Sequence, residues 1–305
     1  MARIDVHQHL WPEALLDALA RRTAAPRLRR SGTGWVLELA GEPPALVDLA
    51  DHDPDARAAQ LDRDEVERAL IAPSAPLGIE ALPPAEAVPL QDAFNAGILA
   101  LGDRFGLWAA LAPAAGPADV DAALDAGAIG VCLSAARLAG PAGLVAHAPL
   151  LTRLAARGAP LFVHPGSGAA APGAPAWWAA MTDYVAEMSA AWYAWAAWGR
   201  PVHPKLTVVW AMLAGGAPLH AERLAARGGP AHAALNDPRG VFDVSSYGPR
   251  AVDALLRIVG VDRLLYGSDR PVVEPPALDG LGAAVRHALG ETNPARLVPS
   301  SLVPA

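Results

Sequence analysis

Residues 2–9 read ARIDVHQH, and this octapeptide decides the fold. In an extended strand side chains alternate with period two, so His7 and His9 fall on one face while Ile4 and Val6 fall on the other. A strand with an apolar face outward and two imidazoles inward at its C-terminal end suits a barrel, where the inward face is the interior.

Working outward, the same kind of short apolar run bounded by turn residues recurs at 67–74, 105–111, 128–134, 160–166, 206–213, 241–246 and 264–269. Helical spacing fills the intervals. Continuous apolar strands alternating with helices argue for parallel strands, and eight such units close an α/β (β/α)8 TIM barrel. The expected organisation is a single domain over 1–305 with an insertion at about 30–55, between the first and second strands. Within it, residues 33–49 (TGWVLELAGEPPALVDL) read as a small hairpin over the barrel mouth. The segment 167–200 carries Trp178, Met181, Met188, Trp192 and Trp195 on one helical stripe. Such a stripe is expected to pack against the barrel or a sister subunit, with a substrate lid as the alternative.

Composition agrees with a large buried core. The 305 residues are 53% apolar and 18% charged, against roughly 25% charged in an average domain, which excludes disorder. Twenty-four Lys and Arg against 31 Asp and Glu give a net charge of −7 without a basic block, which speaks against nucleic acid as a partner. Cys132 is the single cysteine, so neither a disulfide framework nor a thiolate cluster is available and a cytoplasmic setting is expected. No secretion signal or membrane span is expected. Any metal must be held by histidines and carboxylates.

Three strands carry candidate ligands to the mouth. His7 and His9 end the first, His164 ends the fifth in LFVHPG, and Asp269 ends the eighth in LLYGSDRP. Each has an ordinary explanation, a satisfied core histidine or a carboxylate capping a turn. Together they meet where barrel active sites are built.

These stretches, with GAIGVCLS and PKLTVVWAMLAGGAPLHAER, resemble the amidohydrolase superfamily, in particular its branch containing aminocarboxymuconate semialdehyde decarboxylase. The resemblance implies that His7, His9, His164 and Asp269 ligate one divalent ion, Zn2+ first, and that Asp269 is also catalytic. Dinuclear members use a lysine or glutamate bridge from the fourth strand. Here that strand reads AIGVCLS and the only lysine is Lys205, which disfavours a second metal. The branch also places a histidine at the end of the sixth strand, and this chain has Met212 there. A thioether cannot accept a proton at useful pKa. His220 could fold back over the mouth, although a histidine at that place is more often solvated. Candidate substrate contacts are Trp11, Arg223, Ser246 and Tyr247, the arginine by resemblance to one that positions acidic substrates.

The leading expectation is a metal-dependent hydrolase that acts on a small ester, lactone or amide through a metal-activated water, with Asp269 handling the proton. The first alternative is a non-oxidative decarboxylase of a small aromatic or unsaturated acid. A metal-free lactonase or a non-catalytic barrel follows, on the strength of Met212. The expected partner is a small-molecule substrate, and a homodimer is compatible with the tryptophan-rich segment.

Overall fold

Strand residues that are apolar on both faces can be buried on both, and in the computed structural model every barrel-strand residue is buried. The structure describes residues 3–32, 34–40, 44–166, 173–175 and 177–298. The strands are β1 (Ile4–Gln8), β2 (Arg68–Ile71), β3 (Phe105–Ala110), β4 (Gly130–Ser134), β5 (Leu161–His164), β6 (Val208–Trp210), β7 (Gly240–Asp243) and β8 (Leu264–Leu265). They pair in parallel in that order. Helices surround this nearly closed α/β barrel, as in the TIM architecture.

Closure runs through the segment just after β8. Val6 N–H donates to Tyr266 O (2.9 Å), Asp269 N–H to His7 O (2.9 Å) and His9 N–H to Arg270 O (2.7 Å). Inside, Trp108 and Phe162 stack with centroids 5.1 Å apart, and Trp108 satisfies its buried indole by donating to Val6 O (2.9 Å). Phe162 in turn meets the His7 ring edge-on at 5.0 Å. The barrel is therefore plugged by aromatics directly beneath the imidazoles.

Outer helices follow the usual end signals. Helix Pro249–Val259 starts with proline at its first position and buries Val252, Leu255 and Val259, one apolar stripe. Helix Pro84–Leu99 buries Leu90, Gln91, Phe94 and Ile98. No described helix is long and apolar enough to cross a membrane.

The insertion is larger than the expected hairpin. Strands Arg27–Ser31, Gly34–Glu38 and Ala45–Val47 form a three-stranded antiparallel sheet. Its first strand, RLRRS, carries almost no apolar signal. It is held by the cross-strand pair Leu28 and Leu37, both buried, and by Arg27 and Arg29 on Glu38.

Several strands also stop earlier than their apolar runs. β8 ends at Leu265 rather than Asp269, so that carboxylate stands on a loop, at φ 62°. β6 ends at Trp210, because Met212, Leu213, Ala214, Gly215 and Gly216 all take left-handed conformations. Gly215 passes close to helix Asp183–Ala194, where a Cβ would stand 2.7 Å from Val185 O. The tryptophan stripe divides in two. Met188, Trp192 and Trp195 pack into the core, whereas Trp178 and Met181 are exposed.

Candidate metal centre

Each of the three histidines is anchored through Nδ1. His9 Nδ1–H donates to Ala72 O (3.0 Å) and His164 Nδ1–H to Pro165 O (2.9 Å). Carbonyl oxygens only accept, so these rings carry their hydrogen on Nδ1 and, when neutral, a lone pair on Nε2. His7 Nδ1–H donates to Asp243 Oδ2 (2.9 Å) and lies 3.1 Å from Ser245 Oγ, which also accepts from Met212 N–H (3.3 Å). Three imidazoles thus turn their free nitrogens inward, each ring centroid 5.0 Å from the other two.

Asp269 lies beside two of these rings. Its Oδ1 lies 3.4 Å from His9 Nε2 and 3.6 Å from His7 Nε2, while Oδ2 accepts from Ser246 Oγ (3.0 Å). The segment that brings it there lies against β1 because residue 267 is glycine. A Cβ at Gly267 would stand 2.9 Å from His7 Cβ and 3.0 Å from Asp243 Cγ. Asp5, fully buried, ties the same elements together by accepting from His7 N–H (3.1 Å), Ser268 N–H (3.0 Å) and Gln8 Nε2 (2.7 Å).

The donor set fits a divalent cation. His7 Nε2 and His9 Nε2 are 3.2 Å apart, a repulsive approach for two lone pairs unless a proton or a cation sits at them. The separations of 3.2, 3.4 and 3.6 Å are close to the edge of about 3.4 Å that a tetrahedron with bonds of about 2.1 Å requires. His7, His9 and His164, all buried, could hold such an ion, with one donor atom of each within 4.8 Å of the others.

Charge among these side chains is distributed accordingly. Burial opposes a charge on His7, yet Asp243 and Asp269 prevail and push its pKa up to about 9. Burial, reinforced by His7 and His9, holds His164 well below the ordinary imidazole value. Burial alone would raise the Asp269 carboxyl, but the imidazoles of His7, His9 and His164 keep it well below the usual carboxylate range. A proton on His7 thus does part of what a cation would do.

The other sequence candidates scatter around this ring. Ser246 touches Asp269 directly, and Tyr247 is half-buried beside it in sequence. Trp11 is buried, stacks on His52 at 4.3 Å and donates Nε1–H to Ser74 Oγ (2.8 Å). Arg223 is exposed on helix Ala221–Ala226, with none of the four ring residues as a partner. Its charge opposes the rise that burial gives the Tyr193 phenol. His220 is exposed.

Sequence reasoning missed Asp243, although a carboxylate inside the apolar run GVFDV needs a partner and could have signalled it. It also missed Glu80, which accepts from Ser134 Oγ (2.7 Å), and Glu187, which accepts from Gly166 N–H (2.8 Å). Burial lifts the Glu187 carboxyl pKa; the Gly166 bond opposes this, and Asp183 and Glu80 add to the rise. Nothing local in the sequence brings these residues to the mouth.

Comparison with known proteins places the chain in a family. A family model described as Amidohydrolase matches residues 4–299. No curated protein matches the sequence. Among solved structures the chain is similar to Metarhizium anisopliae IDCase in its apo form, at TM-score 0.75 and 18% identity over 97% of this chain and 96% of that one. It is similar to 5-carboxyvanillate decarboxylase from Novosphingobium aromaticivorans, solved with manganese and 4-hydroxy-3-methoxy-5-nitrobenzoic acid, at TM-score 0.74 and 15% identity over 97% and 95%. A dihydroxybenzoic acid decarboxylase from Polaromonas, solved with manganese and the inhibitor 2-nitroresorcinol, gives TM-score 0.70 and 15% identity over 97% and 96%. At these identities the likeness is one of fold.

Proposed function

The chain belongs to the amidohydrolase family, and from that premise we propose that it is a metal-dependent, non-oxidative decarboxylase of a small aromatic or unsaturated carboxylic acid. The observation that carries the reading is the convergence of three Nδ1-anchored imidazoles, with the Asp269 carboxylate 3.4 Å from His9 Nε2. His7, His9, His164 and Asp269 are the proposed ligands of one ion, Zn2+ or Mn2+. Bound there, the ion supplies Lewis acidity and positive charge to a substrate oxygen.

The chemistry balances simply. The bond between the carboxyl carbon and its neighbour breaks, CO2 leaves, and the electron pair stays on the neighbouring carbon, which takes up a proton. Met212 cannot carry that proton. Asp269, oriented at Oδ2 by Ser246, is the proposed carrier, relaying to that carbon a proton taken up from water, with Trp11, Ser246 and Tyr247 as walls of the substrate site. The manganese-containing decarboxylases among the structural relatives support this reading over hydrolysis.

One observation favours hydrolysis as the second reading. Asp269 is held ionised beside the donor ring, as the base for an attacking water would be. The deciding experiment loads the protein with Mn2+ or Zn2+ and offers hydroxylated aromatic acids labelled at the carboxyl carbon beside simple esters and lactones. Release of labelled CO2, lost in Asp269→Asn, supports decarboxylation. Ester or lactone cleavage without CO2 overturns it in favour of the hydrolase.

A further inference from the structure

Beside His164 the mouth opens into a cavity of about 30 Å3, room for about two water molecules. Glu80, Gln91, Ser134 and His164 give it polar walls, and Ile79 and Phe94 give it apolar ones. Gln91 is only 4% exposed. Its Nε2 donates to Leu111 O (3.0 Å), which fixes the amide orientation because a carbonyl only accepts. The other end, Oε1, is buried with no hydrogen-bond partner among the described residues. Across the cavity Glu80 Oε2 accepts from Ser134 Oγ (2.7 Å), and Arg137 Nε lies 4.0 Å from that same oxygen.

A buried acceptor without a donor is unfavourable, and a ligand that brings the donor recovers the loss. An amide oxygen and a carboxylate repel an anion, so the reacting carboxylate does not belong here. The size admits a single small substituent rather than a ring. We propose that this cavity is the subsite for a hydrogen-bond-donating substituent of the substrate, a hydroxyl or amino group on an apolar frame, with Gln91 Oε1 as the acceptor that selects it. The inference rests on the decarboxylase reading for what else the frame carries. Binding at the subsite requires no turnover.

The test is ligand-observed NMR on the protein as purified, and again after chelator dialysis, with phenol and with fluorobenzene, which matches it in size but has no donor. The expected result is phenol binding about tenfold tighter than fluorobenzene in both preparations. Gln91→Met should weaken phenol about tenfold and leave fluorobenzene unchanged. Equal affinities in the unmodified protein, no phenol binding up to its solubility, or a phenol preference that survives in Gln91→Met would each overturn the proposal. The phenol to fluorobenzene ratio stands even where the variant does not fold. Because binding persists without metal or reaction, failure here is separate from failure of the labelled-CO2 assay.

Discussion

His7 Nδ1 lies 2.9 Å from Asp243 Oδ2 across 236 residues of sequence, with the carboxylate fully buried. This contact fixes which nitrogen of His7 faces the centre and makes that nitrogen more basic, the usual role of a carboxylate behind a metal-binding histidine.

Asp243→Asn should therefore keep the fold and lower metal affinity by about 10- to 100-fold. The same change should bring the His7 pKa down from about 9 towards its ordinary value, since Asp243 is the largest charge that raises it. Competition with a chromogenic chelator reads the first effect and imidazole NMR titration the second. Unchanged affinity would remove Asp243 from the site.

Metal binding should expel a proton. His7 holds one below about pH 9 in the metal-free protein, and an ion must take the same Nε2 lone pair. Apparent affinity should rise about tenfold per pH unit between pH 6.5 and 8.5 and flatten above about 9. The same shift has a stability sign. A pKa raised from 6.5 to about 9 contributes stability that is fully present below 6.5 and is lost as pH rises through about 9. Thermal melts of chelated protein across that range should fall, and a flat profile would contradict the His7 assignment.

Asp269→Ala should retain the barrel and lose the metal. The side chain binds the ring, but closure uses the backbone N–H of Asp269 on His7 O, which alanine keeps. Metal content by mass spectrometry beside circular dichroism checks both halves. Full metal occupancy in the variant would mean that the three histidines suffice.

Gly215→Ala should cost more than Gly216→Ala. Both glycines have positive φ, 64° and 77°, a strain of about 1–2 kcal/mol for alanine. Only at 215 does the new Cβ also meet a backbone carbonyl, 2.7 Å from Val185 O, whereas at 216 the nearest atom is 3.6 Å away. Chemical denaturation of the two variants should differ by about 1 kcal/mol or more. Equal losses would show that the left-handed turn does not lean on helix Asp183–Ala194.

The legibility of this site in the sequence follows the range of the interactions. Alternation alone puts His7 and His9 on one face, and Pro165 marks where His164 must leave its strand, so both signals are local. Asp269 is readable as a mouth residue but not as a loop residue, because the parallel pairing that ends β8 at Leu265 is set by β7. Asp243 and Gln91 look respectively like an oddity in a strand and an ordinary polar position in a helix. Their meaning comes only from what stands opposite, His7 in one case and the cavity in the other. The strand Arg27–Ser31 was invisible for the converse reason, since its charges are matched across the sheet by Glu38. The choice between hydrolysis and decarboxylation rests on residue types that serve either.

Barrel closure through residues 266–270 imposes an order on biosynthesis. Ser268, which bonds Asp5, is made 263 residues after it, roughly 15–50 s later at ordinary elongation rates. Until β8 is made one edge of β1 has no neighbour, and His7, His9 and then His164 stand without Asp269. The full set of proposed ligands is therefore complete only once residue 269 has been made, and a chain that stops before the 266–270 segment keeps an open sheet edge, a client for chaperones or proteases.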